Sequence, residues 1–346
     1  MSNIGKSIQT SISFAIYILS SFFIISPLHK SENLPLSLLC ALATSFCIIY
    51  AQFNIFSNLI ATKSSRKHTL RFLTILGTIL SLFTILMLLT ETIKDIAYVA
   101  NRGVSLFYYT ISATALLFVS LTLCNSHNKG IFRFCILATI PFAFLFSIIF
   151  FAPLTTKSII WVASQESSEI LSPIITGVKS GLFYSADAFL FFLCFREQIQ
   201  ENGHLPNRKL MTGFIFASTF IIIYNMFTSL IFGNLTRDIT DPDYALVKLI
   251  KGIDMTETVS AVRIISFLIK SSISTLISAD FIMVAFPKIK IDKKIIILIL
   301  YAIIPVSFLA LAFFDKTLKY GAFQSFIYPV NAISALCFIL AYKLQK

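Results

Sequence analysis

The stretch 72–93, FLTILGTILSLFTILMLLTETI, holds a single charged residue, Glu91, among residues that are otherwise apolar or small and hydroxylic. At about 1.5 Å per residue, a run of this length crosses a hydrocarbon core of roughly 30 Å as one α-helix. Nine more runs of the same kind lie at 9–28, 36–60, 105–124, 134–152, 173–195, 210–232, 260–286, 295–314 and 323–342, and they fill most of the 346 residues. The expectation is an all-α polytopic membrane protein with ten transmembrane helices, forming a single transmembrane domain over 1–346. The longest links, 153–172 and 233–259, are too short to bury a core of their own, so no soluble domain is expected. The first run follows Lys6 as a signal peptide would. With no small-residue cleavage site and nine spans after it, it reads as retained.

The net charge of +12, from 28 basic and 16 acidic residues, would suggest nucleic acid in a soluble protein. Here the basic residues follow the membrane. With a cytoplasmic N-terminus, 16 of them fall at the cytoplasmic side and nine in outer links, while Lys179, Arg263 and Lys270 lie within spans. That asymmetry predicts both termini in the cytoplasm. The blocks TKSSRKHTLR (62–71) and PKIKIDKK (287–294) then face anionic lipid rather than DNA or RNA.

Enzyme chemistry finds little support. Cys40, Cys47, Cys124, Cys135, Cys194 and Cys337 lie in or at the ends of apolar runs, as small buried hydrophobes do. His29, His68, His127 and His204 stand in separate links without ligand-like spacing. HExxH, CxxC, GxSxG and glycine-rich phosphate loops are absent, so no metal, cofactor or catalytic residue is expected.

Some links carry structure. In TDPDYALVKLIKG, Asp241 can cap a helix with Pro242 in its first position, and Gly252 can stop it. Leu246, Leu249 and Ile250 would face lipid or protein from this short amphipathic helix on the outer side. Trp161, the one tryptophan, reads as an interfacial anchor. Pro141, Pro305 and Pro329 fall within the fifth, ninth and tenth spans, where a kink is the ordinary meaning.

The most polar span is the sixth, SPIITGVKSGLFYSADAFLFFLCF (172–195), with Gly177, Lys179, Ser180, Gly181, Ser185 and Asp187 close together. A helix so polar in lipid is either paired in a bundle or broken around a cavity. The first span, with Ser20, Ser21, Ser26 and Pro27, is its weaker counterpart if ten spans form two inverted repeats of five. Broken helices at corresponding positions point to a binding site near the midplane. The expectation is a sixth span unwound around Gly177 to Gly181, with Ser20, Ser21, Gly177, Gly181, Tyr184, Ser185 and Asp187 lining a ligand pocket.

The eighth span, AVRIISFLIKSSISTLISADFIMVAF (261–286), places Lys270 near its centre, ahead of Ser271, Ser272, Ser274, Thr275, Ser278 and Asp280. Helical serines commonly bond back to their own carbonyls or permit close packing. A mid-span ammonium is harder to accommodate, costing at least about 2.5–3.5 kcal/mol without a partner or water. Asp187 is the nearest carboxylate by depth, and Lys270 and Asp187 form either a structural pair or part of a site. Lys270, Ser271 and Ser274 resemble an ion site whose metal is replaced by an ammonium.

This order of features resembles the B subunits of spore germinant receptors, in the amino acid–polyamine–organocation transporter superfamily. The likeness covers nearly the whole chain as a pattern of spans. It is most specific at 82–109, LFTILMLLTETIKDIAYVANRGVSLFYY, at 173–199, and at 242–287, where PDYALVKLIKG precedes the span with Lys270 at its middle. The resemblance implies a LeuT-like 5+5 inverted repeat and a pocket between the first and sixth helices. It also implies assembly with germinant receptor A and C subunits in the bacterial inner (spore) membrane.

Three functions follow. One is a subunit that senses a small nutrient such as an amino acid. Another is a proton-coupled amino-acid transporter of the same fold, with Lys270 standing in for a sodium-site cation. The third is a non-transporting membrane scaffold whose polar residues lock helices together.

Overall fold

In lipid every backbone N–H and C=O must be satisfied within the protein, so a chain of long apolar runs is driven to helix. The computed structural model describes residues 3–24, 33–58, 67–99, 106–155, 170–195, 207–232, 242–248, 256–287, 291–314 and 321–345, and all the regular structure among them is helical. The described helices are α1 (Asn3–Ile24), α2 (Leu34–Asn58), α3 (Lys67–Val99), α4 (Leu106–Asn125), α5 (His127–Leu137), α6 (Thr139–Thr155) and α7 (Leu171–Ser185). They continue as α8 (Ala188–Cys194), α9 (Asn207–Phe232), α10 (Pro242–Lys248), α11 (Thr256–Ala285), α12 (Lys293–Phe314) and α13 (Gly321–Gln345).

Six described stretches are long and apolar enough to cross a membrane: Leu34–Ile55, His68–Ile93, Lys129–Ile148, Leu171–Cys194, Lys209–Thr228 and Glu257–Ala285. Burial points the same way. On α2 the large apolar side chains Leu39, Phe46 and Tyr50 face outward, while Ser37, Ala41, Ser45, Ile49 and Gln52 are buried. On α3, Phe72, Ile75 and Ile79 are exposed and Thr74, Thr78 and Ser81 buried. A water-soluble protein sorts its residues the other way, and apolar surface this extensive marks contact with a membrane. Helical throughout its described regular structure, the chain is a membrane-embedded polytopic protein.

Two compact units divide the chain. The first comprises Met1–Ile48, Cys135–Ser185 and Arg208–Ser266. Within it α1 packs on α6 and α7, and α10 on α6. Its core is aromatic around the end of α1, where Phe22 meets the rings of Tyr184 and Tyr224 edge-on at 5.8 and 5.1 Å and Phe23 meets Phe142 at 5.4 Å. The second unit comprises Ile49–Phe134, Ala186–Asn207 and Phe267–Lys346. In it α3 packs along α13, and α12 on α3 and α4. Gly77 lets α3 approach α13: a Cβ there would lie 3.2 Å from that of Cys337, and Ser334 donates a hydrogen bond to the Gly77 carbonyl at 3.0 Å.

Two features of the fifth run differ from the sequence reading. The basic residues before it, Lys129 and Arg133, lie on a helix, α5, which begins at His127 with only Ser126 between it and the end of α4. The interruption falls at Ala138 rather than as a kink at Pro141. Pro141 occupies the first turn of α6, where its missing N–H costs no hydrogen bond. Of the expected amphipathic segment, Pro242–Lys248 forms α10, with Leu246 packed on Ile231 and Phe232. Asp241, Leu249, Ile250, Gly252 and Trp161 lie outside the described residues, as do Ser26 and Pro27.

Candidate functional site

The sixth span is broken, but not where its glycines stand. Helix α7 runs unbroken through Gly177 and Gly181 to Ser185, the backbone turns at Ala186 and Asp187, and α8 begins at Ala188. The expected unwinding at Gly177–Gly181 is therefore corrected, and the physical reason is packing against α2. A Cβ at Gly177 would sit 2.4 Å from the Ser37 carbonyl oxygen, and one at Gly181 2.4 Å from that of Ala41. Serine hydroxyls reinforce the contact, Ser37 donating to the Pro173 carbonyl at 2.8 Å and Ser45 to that of Gly181 at 3.0 Å. Small residues that let two backbones touch are the usual means of helix association in lipid.

The break has its own local cause. Ser185 donates to the Gly181 carbonyl at 2.6 Å, and the Ala186 carbonyl accepts from Gln52 Nε2 at 2.8 Å, so side chains satisfy carbonyls at the end of α7. Asp187 has φ −92° and ψ 4°, and its carbonyl accepts from the Leu190 N–H at 2.9 Å to start α8. Its carboxylate does not cap that helix. Every residue of α8 is buried, and Phe192 stacks on Phe53 at 4.7 Å, so the short helix is held as core.

The carboxylate turns instead to Lys270. In the second unit Lys270 Nζ donates to both Asp187 oxygens at 2.9 Å, and the side chains are only 5 % and 8 % exposed. The structure brings together these two sequence candidates, one in the break of the sixth span and one near the middle of the eighth. A pair this buried owes its persistence to mutual neutralisation, since either charge left alone costs about 3–5 kcal/mol. Asp280 is paired separately, with Lys293.

The hydroxyls beyond Lys270 divide between the two ordinary roles. Thr275 and Ser278 bond back to the carbonyls of Ser271 and Ser274, at 2.8 and 2.9 Å. Ser271 and Ser272 reach across to Ser120 of α4, at 2.8 and 3.0 Å, and Ser120 is bonded to the Tyr301 hydroxyl of α12 at 2.5 Å. Cys124 joins the same cluster, 3.3 Å from the Tyr301 hydroxyl. Ser274 is hydrogen-bonded to Ser81 of α3. Sequence reasoning missed Gln52, Ser120 and Tyr301. Each is a polar group inside an apolar span, which was a usable signal, but nothing in the sequence names its partner.

In the first unit, α1 is continuous from Asn3 to Ile24. Ser20 donates to its own helix, to the Ile16 carbonyl at 2.7 Å, while the buried hydroxyl of Ser21 has no partner among the described residues. Tyr184 is fully buried against Phe22. Toward α10, Tyr244 is bonded to Ser260 at 2.8 Å, and the buried Arg263 guanidinium lies 5.0 Å from its ring centroid. Compared with known proteins, the chain matches no family model and no curated sequence.

Proposed function

We propose that the chain is the transporter-like subunit of a spore germinant receptor that senses a small nutrient such as an amino acid. On this reading ten spans form a LeuT-like 5+5 repeat in the inner spore membrane, with both termini cytoplasmic and with A and C subunits as partners. One observation carries the proposal: the buried Lys270–Asp187 pair fixed on the broken sixth span. Ionisable residues kept inside a membrane protein mark functional sites by default, and discontinuous helices are where transporter-like folds hold small ligands. The resemblance at 82–109, 173–199 and 242–287 supplies the class of ligand and the partners.

A second reading draws on a different observation. The close packing of Gly177 and Gly181 on α2 favours a non-transporting scaffold, because it leaves those backbone groups facing a helix rather than a cavity.

Binding separates the two. Purified full-length protein in nanodiscs, melted in the presence of each common amino acid, should be stabilised by at least one, by about 2.7 kcal/mol at a hundredfold excess over Kd. Lys270→Met should insert as well as the parent or better and lose that shift. No shift with any amino acid favours the scaffold. Uptake of the ligand into proteoliposomes would identify a proton-coupled transporter instead.

A further inference from the structure

Arg71, Thr74, Thr78 and Ser81 recur on α3 at spacings of three, four and three, and so form one stripe. Both ends of the stripe touch α11. Arg71 Nε donates to the Ala285 carbonyl at 3.1 Å, and Ser81 is hydrogen-bonded to Ser274, with Ser278 also 3.5 Å from it. The two threonines between them therefore lie on the face turned to α11.

Their hydroxyls behave unlike the others on this helix. Thr84, Thr90 and Thr92 each bond back to the carbonyl four residues earlier, at 3.0, 2.9 and 2.8 Å. Thr74 and Thr78, 0 % and 6 % exposed, have no hydrogen-bond partner for Oγ1 among the described residues. Burying a hydroxyl without a partner costs free energy, and where the protein offers no partner, water is the molecule of the right size and chemistry to supply one. The stripe also leads somewhere. Ser274 is one turn from Lys270, and beside Asp187 the Gln52 side chain, bonded to the Ala186 carbonyl through Nε2, has a buried Oε1 without a partner.

We infer that α3 and α11 enclose a water-bearing polar track running from Arg71 past Thr74, Thr78 and Ser81 to the Lys270–Asp187 pair. Its ligand is water, held by threonine and serine hydroxyls, and its role is to solvate the buried Lys270–Asp187 ion pair. The inference goes beyond nutrient sensing and does not depend on it.

The test uses silver ion as a small thiol probe on the full chain in nanodiscs, with the six native cysteines replaced. Thr74→Cys and Thr78→Cys should be blocked by Ag⁺ at rates closer to that of an exposed control, His68→Cys, than to that of Leu89→Cys, whose position is 0 % exposed and apolar. Rates closer to Leu89→Cys at both positions overturn the track. Should the cysteine-free chain fail to fold, Thr74→Val and Thr78→Val in the otherwise unaltered chain decide. A water-bearing hydroxyl predicts a Tm lowered by roughly 1–2 °C for each. A Tm unchanged or raised in both contradicts it, because removing a dry, unpaired hydroxyl carries no penalty.

Discussion

The α-carbon of Gly181 lies so close to Ala41 that a methyl group on it would stand 2.4 Å from the Ala41 carbonyl oxygen. Backbone cannot yield as the tip of a flexible side chain can. Gly181→Ala should therefore destabilise the protein by about 1–3 kcal/mol, the range for overpacking a close contact. Gly177→Ala should do the same, because its obstacle, the Ser37 carbonyl, is also at 2.4 Å. Thermal unfolding in a fixed detergent checks both, and wild-type stability in both would show that α2 and α7 can separate without cost.

Tyr301 joins Ser120 and Cys124 through one hydroxyl. Tyr301→Phe keeps the ring and leaves those two buried groups short of a partner, a loss of about 1–3 kcal/mol. Ser147 provides the control, since its hydroxyl is exposed and bonds back to the Ala143 carbonyl of its own helix. Ser147→Ala should change stability by no more than about 0.5 kcal/mol. Equal effects from the two substitutions would mean that the cluster contributes nothing as a cluster.

What was legible in the sequence follows from what lipid enforces. Residues 72–93 could only be a helix, and α3 covers them all. Lys270 was conspicuous because a mid-span charge needs a reason, and Asp187 because it is the carboxylate nearest to it by depth. The position of the break was not legible. Glycine marks both flexible backbone and close helix packing. Only the presence of Ser37 and Ala41 opposite Gly177 and Gly181 decides for packing, and that pairing across more than a hundred residues leaves no trace in local spacing. Gln52, which satisfies the freed Ala186 carbonyl, was hidden for the same reason. The helical link around Lys129 and Arg133 was hidden because its charges count with the basic residues of the cytoplasmic side.

Topology rests on the basic collars. Cysteine labelling or reporter fusions should place 61–71 and 287–294 in the cytoplasm and 233–259 outside. Labelling of Lys67→Cys by an impermeant reagent from the outer face would reverse the orientation and put both termini outside.

Lys270 and Asp187 act as one unit across the break in the sixth span. A double-mutant cycle with Lys270→Met and Asp187→Asn, read by unfolding in a fixed lipid or detergent, tests it most directly. Each single change should cost about 3–5 kcal/mol by stranding its partner, and the double variant should cost less than the two single changes added together. The coupling should then be about 1.5–3 kcal/mol, the upper part of the range for residues in contact. Additive losses, with coupling within about 0.5 kcal/mol of zero, would contradict the account by showing that the two charges do not depend on each other.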